Sequence, residues 1–204
     1  MERSITCPCG KVFMAGTEDE IDLDRKSEYI DSICGGSFFT FICPACGKKH
    51  RPEYHITVLW PSKRIRFEVI PELGRGEFQR RKKDPPDTET LIGYPELADR
   101  IAVIRDNLEP AAIESLKYFL LLKAEETYPA REIAIWYYGS GEQGIEFHLH
   151  GIRDDEVAVV RTPRELYNKQ LDDYRKHPQG EIFAALRIRT CLSVQNLRRP
   201  EESK

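Results

Sequence analysis

The chain has 204 residues, a formal net charge of −3 and 40% apolar residues. This composition excludes an intrinsically disordered or collagen-like chain and is typical of a folded protein with one or two domains. No run of 18 apolar residues occurs, and the first residues lack the apolar stretch of a secretory signal, so we expect neither a membrane span nor export. We therefore expect a cytoplasmic protein whose six cysteines are reduced.

The two halves of the chain differ mildly in charge. Residues 1–83 carry a net charge of +3, and residues 84–204 carry −6. A difference of this size suggests two parts of different character and does not indicate a strong polyanion binder.

The first half predicts a small, mainly β module that contains one helix. A helix whose apolar face includes Leu23, Ile30 and Ile33 is expected to end at Gly35 and Gly36. Residues 37–42 predict a strand that leads into Cys43. Residues 55–60 and 64–70, joined by a turn at Pro61, predict a β-hairpin.

The second half predicts helices followed by sequential short strands, which favours an α+β fold over a parallel α/β sheet. Helices are expected over 95–106, 109–127 and 164–176, and strands over 132–138, 145–152 and 156–161, with a last strand or two within 181–194. We expect a zinc-ribbon-like β module at 1–73, a charged linker at 74–92, an antiparallel-sheet-and-helix domain at 93–197 and a flexible tail at 198–204.

The strongest chemical signal is a pair of short-spaced cysteine motifs, Cys7-Pro8-Cys9-Gly10 and Cys43-Pro44-Ala45-Cys46-Gly47. Two cysteines on a tight turn can direct both sulfurs at one metal ion, and the following glycine permits a positive φ. Two such turns complete the four-thiolate shell of a structural zinc site. The first motif has one residue fewer than the usual spacing.

Zinc is the metal that we expect, because paired cysteines in a reducing compartment are typical metal ligands. An iron–sulfur centre and a set of metal-free packed thiols are the alternatives. Cys34 and His50 are alternative ligands, since both lie close to the second motif in sequence.

The two motifs, the helix that ends in Gly35-Gly36 and the aromatic strand before Cys43 together resemble the bacterial CpXC domain family. The resemblance runs from about residue 5 to residue 71 and includes the segment 65–71; more loosely, Ser115-Leu116-Lys117 in the long helix is similar to the layout of longer members. It implies a metal bound by the motif cysteines, which here are Cys7, Cys9, Cys43 and Cys46. The first motif departs from the family pattern by one missing residue. The family has no established activity, so the resemblance implies a site and leaves the reaction open.

Three other motifs have weaker support. The glycines of 139–144 satisfy the dinucleotide pattern, but an alternating segment follows them instead of a helix, which favours a hairpin turn. A redox function for Cys43 and Cys46 requires a helix after the motif, whereas a glycine and a basic loop follow. Glu146, His148 and His150 share one strand face, which we interpret as a solvated sheet face with metal binding as the alternative.

These observations favour a zinc-binding structural or interaction module with a protein partner. Nucleic-acid binding is the first alternative, because basic residues such as Lys48, Lys49 and Arg51 lie near aromatic ones, although acidic residues in the same half nearly balance them. An enzyme with its site in the C-terminal domain or between the halves is ranked last, since no nucleophile or general base is marked. No membrane partner is expected.

Overall fold

The computed structural model describes residues 1–81 and 87–197. The chain forms two compact units, of which the first comprises Met1–Ala98 and the second begins at Asp99. Helices and several small sheets occur together, which confirms the α+β class. Within the described residues, no helix has the length and apolar character needed to cross a membrane.

The first unit holds eight short strands and two short helices, followed by the start of a third helix, among its described residues. The strands are β1 (Glu2–Thr6), β2 (Val12–Gly16), β3 (Glu20–Asp22), β4 (Phe41–Ile42), β5 (Lys49–His50), β6 (Ile56–Trp60), β7 (Ile65–Ile70) and β8 (Glu89–Ile92), and the helices are α1 (Glu28–Cys34), α2 (Arg75–Arg80) and the start of α3 (Gly93–Arg105). Single turns of 3-10 helix occupy Pro61–Lys63 and Glu72–Gly74.

Three sheets organise these strands. β1 pairs with β2 and β4 pairs with β5, each as an antiparallel hairpin. The third sheet has the order β3-β6-β7-β8, in which β3 runs parallel to β6, β6 antiparallel to β7, and β7 parallel to β8. The predicted hairpin of residues 55–70 is therefore confirmed as β6 and β7. Its side chains alternate along β6, where Ile56, Val58 and Trp60 are buried.

The predicted strand over residues 37–42 is wrong for most of its length. Only Phe41 and Ile42 are in a strand, while Phe38 and Phe39 are buried in a turn where Phe39 has φ 44°. Their rings stack at 4.2 Å between centroids, and Tyr29 meets the ring of Phe38 edge-on. Packing of aromatic rings on each other therefore outweighs the strand preference of these residues.

The stretch expected to be a charged linker contains regular structure. Helix α2 buries Phe78, and β8 buries Leu91 and Ile92 as a strand of the four-stranded sheet. Within this stretch residues 82–86 lie outside the described residues, as does the expected tail at 198–204. The expected limits 1–73 and 93–197, as limits of independently folding domains, stay a prediction.

The second unit packs helices on an antiparallel sheet. Its sheet has the order β11-β10-β9, and the inner face contacts α4 and α5. The remaining elements are α4 (Pro110–Thr127), β9 (Ala134–Gly141), β10 (Gly144–Arg153), β11 (Glu156–Thr162), α5 (Arg164–Lys176), α6 (Glu181–Ala185), β12 (Arg187–Ile188), β13 (Cys191–Leu192) and a 3-10 turn at Val194–Leu197. The last strands expected within 181–194 are confirmed as β12 and β13, which pair with each other, although the segment begins with α6, which buries Phe183.

The glycine-rich segment 139–144 joins β9 to β10, which confirms the predicted hairpin. Gly141 and Gly144 are paired across the turn. Gly144 has φ +111°, and a Cβ at this position would lie 2.2 Å from the carbonyl oxygen of Thr162. Backbone conformation and the close approach of β11 thus account for the glycine.

A buried ion network holds the second unit together. The Lys117 ammonium, on a side chain only 2% exposed, donates to Asp99 Oδ2 at 2.8 Å and lies 2.5 Å from Glu114 Oε1. Asp99 accepts the backbone N–H of Tyr137 in β9, and Glu114 accepts that of Val194 near the C-terminus. Burial lowers the pKa of Lys117, but the two carboxylates outweigh burial and raise it.

We expect Lys117→Ala to lower the free energy of unfolding by about 3–5 kcal/mol, because it removes the ammonium that contacts both buried carboxylates, although Arg100 still lies 3.9 Å from Glu114. Urea unfolding followed by circular dichroism measures the change. Lys123→Ala is the matched control, since Lys123 is exposed on the same helix and its removal leaves the network intact. Equal stability of the two variants would contradict the role assigned to Lys117.

Candidate metal centre

Two hairpins bring the four motif cysteines to one place. Cys7 and Cys9 lie in the turn between β1 and β2, and Cys43 and Cys46 lie in the turn between β4 and β5. Strands β1 and β2 were not expected from the sequence. The first motif is thus presented by a hairpin in the same way as the second.

The shortened first turn is closed by two backbone hydrogen bonds. The N–H of Gly10 donates to the carbonyl of Cys7 at 2.9 Å, and the N–H of Cys7 donates to the carbonyl of Lys11 at 2.9 Å. Gly10 has φ +89°, a conformation that residues with a Cβ rarely adopt. The turn therefore closes even though it lacks one residue.

The second turn repeats this arrangement with one more residue. The N–H of Gly47 donates to the carbonyl of Cys43, and the N–H of Cys43 donates to the carbonyl of Lys48, both at 2.9 Å. Gly47 has φ +72°. The positive φ predicted for the glycine after each motif is confirmed at both sites.

The sulfur atoms have the spacing of a metal-binding shell. All four Sγ atoms lie within 4.8 Å of one another. Cys7 Sγ is 3.5 Å from Cys46 Sγ, and Cys9 Sγ is 3.7 Å from Cys43 Sγ. A tetrahedron with metal–sulfur bonds of about 2.3 Å has sulfur–sulfur edges of about 3.8 Å. Both measured pairs are close to this edge, so the cluster could hold one metal ion.

Hydrogen bonds to sulfur favour the thiolate unequally at the two turns. Burial raises the pKa of Cys43, but the backbone N–H groups of Ala45 and Cys46, together with neighbouring thiols, lower it to about 6. At Cys7 the N–H of Cys9 lowers the pKa, while burial and the three neighbouring thiols raise it to about 12. Four crowded sulfurs therefore do not all carry negative charge without a compensating cation.

The cluster lies at the surface of the first unit. Cys7 and Cys43 are buried, whereas Cys9 and Cys46 are exposed. The first cysteine of each motif is thus embedded beneath its turn, and the second faces solvent.

The alternative ligands lie outside this cluster. Cys34 is the last residue of α1, and His50 belongs to β5, where its ring meets Phe13 edge-on at 5.9 Å. Among the described residues, the four motif cysteines form the group with metal-ligand spacing, and neither Cys34 nor His50 joins it. The identity of the ligands in solution stays a prediction.

The polar strand face predicted in the second half is present on the outer side of β10. His148 lies 3.1 Å from Glu146, and Arg161 donates to the same carboxylate at 2.7 Å. The hydrogen bonds from Arg161 and His148 lower the pKa of Glu146. The His148 ring stacks on Tyr138 at 3.9 Å. His150 is exposed, and no metal-ligand group that includes these residues occurs in the described part of the chain.

Comparison with known proteins agrees with the cysteine geometry. A family model described as CpXC protein matches residues 5–117, a range that includes all four motif cysteines. An uncharacterized protein of Treponema pallidum (strain Nichols) is 29% identical over an alignment of 217 residues, which covers 95% of this chain and 97% of that protein. No solved structure matches the chain.

Proposed function

Because the chain belongs to the CpXC family and its four motif sulfurs lie together, we propose that Cys7, Cys9, Cys43 and Cys46 hold one Zn²⁺ ion as thiolates. The observation that carries this proposal is the sulfur spacing, with pairs at 3.5 and 3.7 Å near the edge of a zinc–thiolate tetrahedron. In a reducing cytoplasm, where we place the protein, thiolates persist as ligands.

The proposed zinc is structural. Four protein sulfurs fill a tetrahedral shell, so no position is left for water or substrate, as catalytic zinc requires. The hairpins that present the ligands are two-stranded sheets, and such hairpins are marginally stable alone. A metal ion that joins them contributes its binding free energy to folding. The arrangement supports a zinc-ribbon-like module.

The biological role that we propose for this module is binding of a protein partner. Val12 and Met14 on β2 and Ile42 on β4 are large apolar residues, and each is more than half exposed. Val12 and Met14 are two residues apart and share one face of β2. Exposed apolar surface of this kind on a folded protein supports an interaction site. These residues flank the cysteine turns in sequence, so a closed zinc site would fix the strands that display them.

We expect one zinc ion per chain by elemental analysis of the purified protein. Serine at position 7, 9, 43 or 46 removes a thiolate and should lower the zinc content to less than about a fifth, since a three-thiolate site binds far more weakly. Cys34→Ser and Cys191→Ser are the controls and should keep full occupancy. Retention of zinc in Cys7→Ser or Cys9→Ser would overturn the four-cysteine site and favour Cys34 or His50. Iron in place of zinc would overturn the choice of metal.

We expect a zinc chelator to unfold the hairpins β1–β2 and β4–β5 selectively. Amide hydrogen exchange should show lost protection in these strands, because the cysteine thiolates of the two turns repel one another or become solvated once the metal is removed. Helix α4 in the second unit is the internal control and should keep its protection. Unchanged exchange in all four strands after complete metal removal would contradict a structural role for the ion.

We expect a photo-crosslinking amino acid at Met14, introduced in cells that make the protein, to form an adduct of discrete mass with another protein. The same substitution at the exposed Lys123 is the control and should form none. The Met14 adduct should disappear in Cys43→Ser, since the strands lose their metal. An equal adduct from both positions would refute the proposed surface.

A further inference from the structure

Strand β11 forms one edge of the sheet in the second unit. In the order β11-β10-β9 it pairs with β10 on one side, and no strand of residues 1–81 or 87–197 pairs with its other side. Backbone N–H and C=O groups that point outward from an edge strand can pair with a further strand.

The exposed edge has few of the usual protective features, because its charged residues, Glu156 and Arg161, lie towards its two ends. Val157, Ala158, Val159 and Val160 form four consecutive apolar residues, without proline or lysine. Pairing with β10 is unbroken from Ala158 to Thr162. Proline, lysine and bulges are the devices by which edge strands avoid pairing with other chains. Both pairings of β10 contain a register shift, between Tyr137 and Gly139 of β9 and between Glu156 and Ala158 of β11.

Apolar side chains of β11 also face solvent. Val157 is 45% exposed and Val159 is 50% exposed, and both lie on the outer face of the sheet. Val159 is paired with His148, whose ring stacks on the exposed ring of Tyr138. A strand added beside β11 would cover part of the exposed surface of Val157 and Val159.

The sequence of β11 is complementary to itself in one register. Two antiparallel strands related by a two-fold axis keep the same side chains on each face, so the pairing centres on a single residue. Centred on Ala158, the pairing sets Val157 against the partner's Val159 on the outer face and Val160 against the partner's Glu156 on the inner face. It also sets Arg161 against the partner's Asp155, which lies in the turn just before β11. Centred on Val159, it sets Val157 against the partner's Arg161. On the outer face, the first register matches apolar with apolar and opposite charges with each other.

We propose that two copies of this chain associate through β11, antiparallel and centred on Ala158, to form a continuous six-stranded sheet. One strand from each copy buries less area than the roughly 1,200 Å² of a stable interface. The dimer is therefore reversible, with a dissociation constant between roughly 1 µM and 1 mM.

Sedimentation equilibrium of the full-length protein, as purified, over this concentration range tests the proposal. Wild type should show a monomer–dimer equilibrium, and Val159→Lys should weaken it at least tenfold, because the new lysine places a charge against the partner's Val157. Leu122→Lys is the matched control, since Leu122 is 41% exposed on α4 and lies outside both proposed surfaces, and it should associate like wild type. A monomer at every concentration, or equal association of Val159→Lys and wild type, would overturn the proposal.

A charge pair tests the register. Val157→Glu and Val159→Lys should each weaken the dimer, while the double variant should recover association to within about threefold of wild type. In the register centred on Ala158, each new glutamate faces the partner's new lysine. In the register centred on Val159, the new lysines face each other, so failure of the double variant to recover would overturn the proposed pairing. Circular dichroism checks that each variant is folded.

Discussion

Crowding of four cysteine sulfurs is the constraint on which the first unit depends. The hairpins β1–β2 and β4–β5 direct their turns to the same point, which leaves the sulfurs within 4.8 Å of one another. A cluster of four thiolates is unfavourable without a metal ion, because the negative charges repel one another. It is favourable if a bound cation neutralises them. The folding of these small strands and the state of the sulfurs are thus linked, because the same contacts bring the turns together and create the need for positive charge.

The second unit meets a similar electrostatic problem with its own side chains. Asp99 and Glu114 are buried together, and the Lys117 ammonium lies between them with hydrogen-bonding distance to both. Their remaining oxygens accept backbone N–H groups from β9 and from the C-terminal segment. Groups that can carry like charges are therefore held close in both units. In the second unit the neutralising cation is a side chain of the protein, Lys117. In the first unit the four clustered groups are all cysteine sulfurs.

Local patterns predicted the parts of the structure that local physics decides. Alternation identified β6, β7 and β10, the glycines of 139–144 identified a hairpin, and cysteine spacing identified the cluster. The failures lie where distant contacts decide. Phe38 and Phe39 read as a strand, but their rings pack on Tyr29. The charged stretch after Gly74 suggested a linker, but the isolated apolar residues Phe78 and Leu91 are buried there. A sequence pattern reflects the average hydropathy of a segment, whereas burial of a single aromatic ring can hold that segment in regular structure.

The shortened first motif shows that a cysteine turn can lose one residue and still place its sulfurs in the cluster. Removing one residue leaves the closing bond from Gly10 to the carbonyl of Cys7 intact, at the same length as the equivalent bond from Gly47. What changes is the number of backbone N–H groups near sulfur, since Cys43 has two donors and Cys7 has one. Sulfur position depends on turn closure and the positive φ of the glycine, while thiolate stability depends on amide donors. The two motifs can therefore contribute to one cluster with similar geometry and unequal electrostatics.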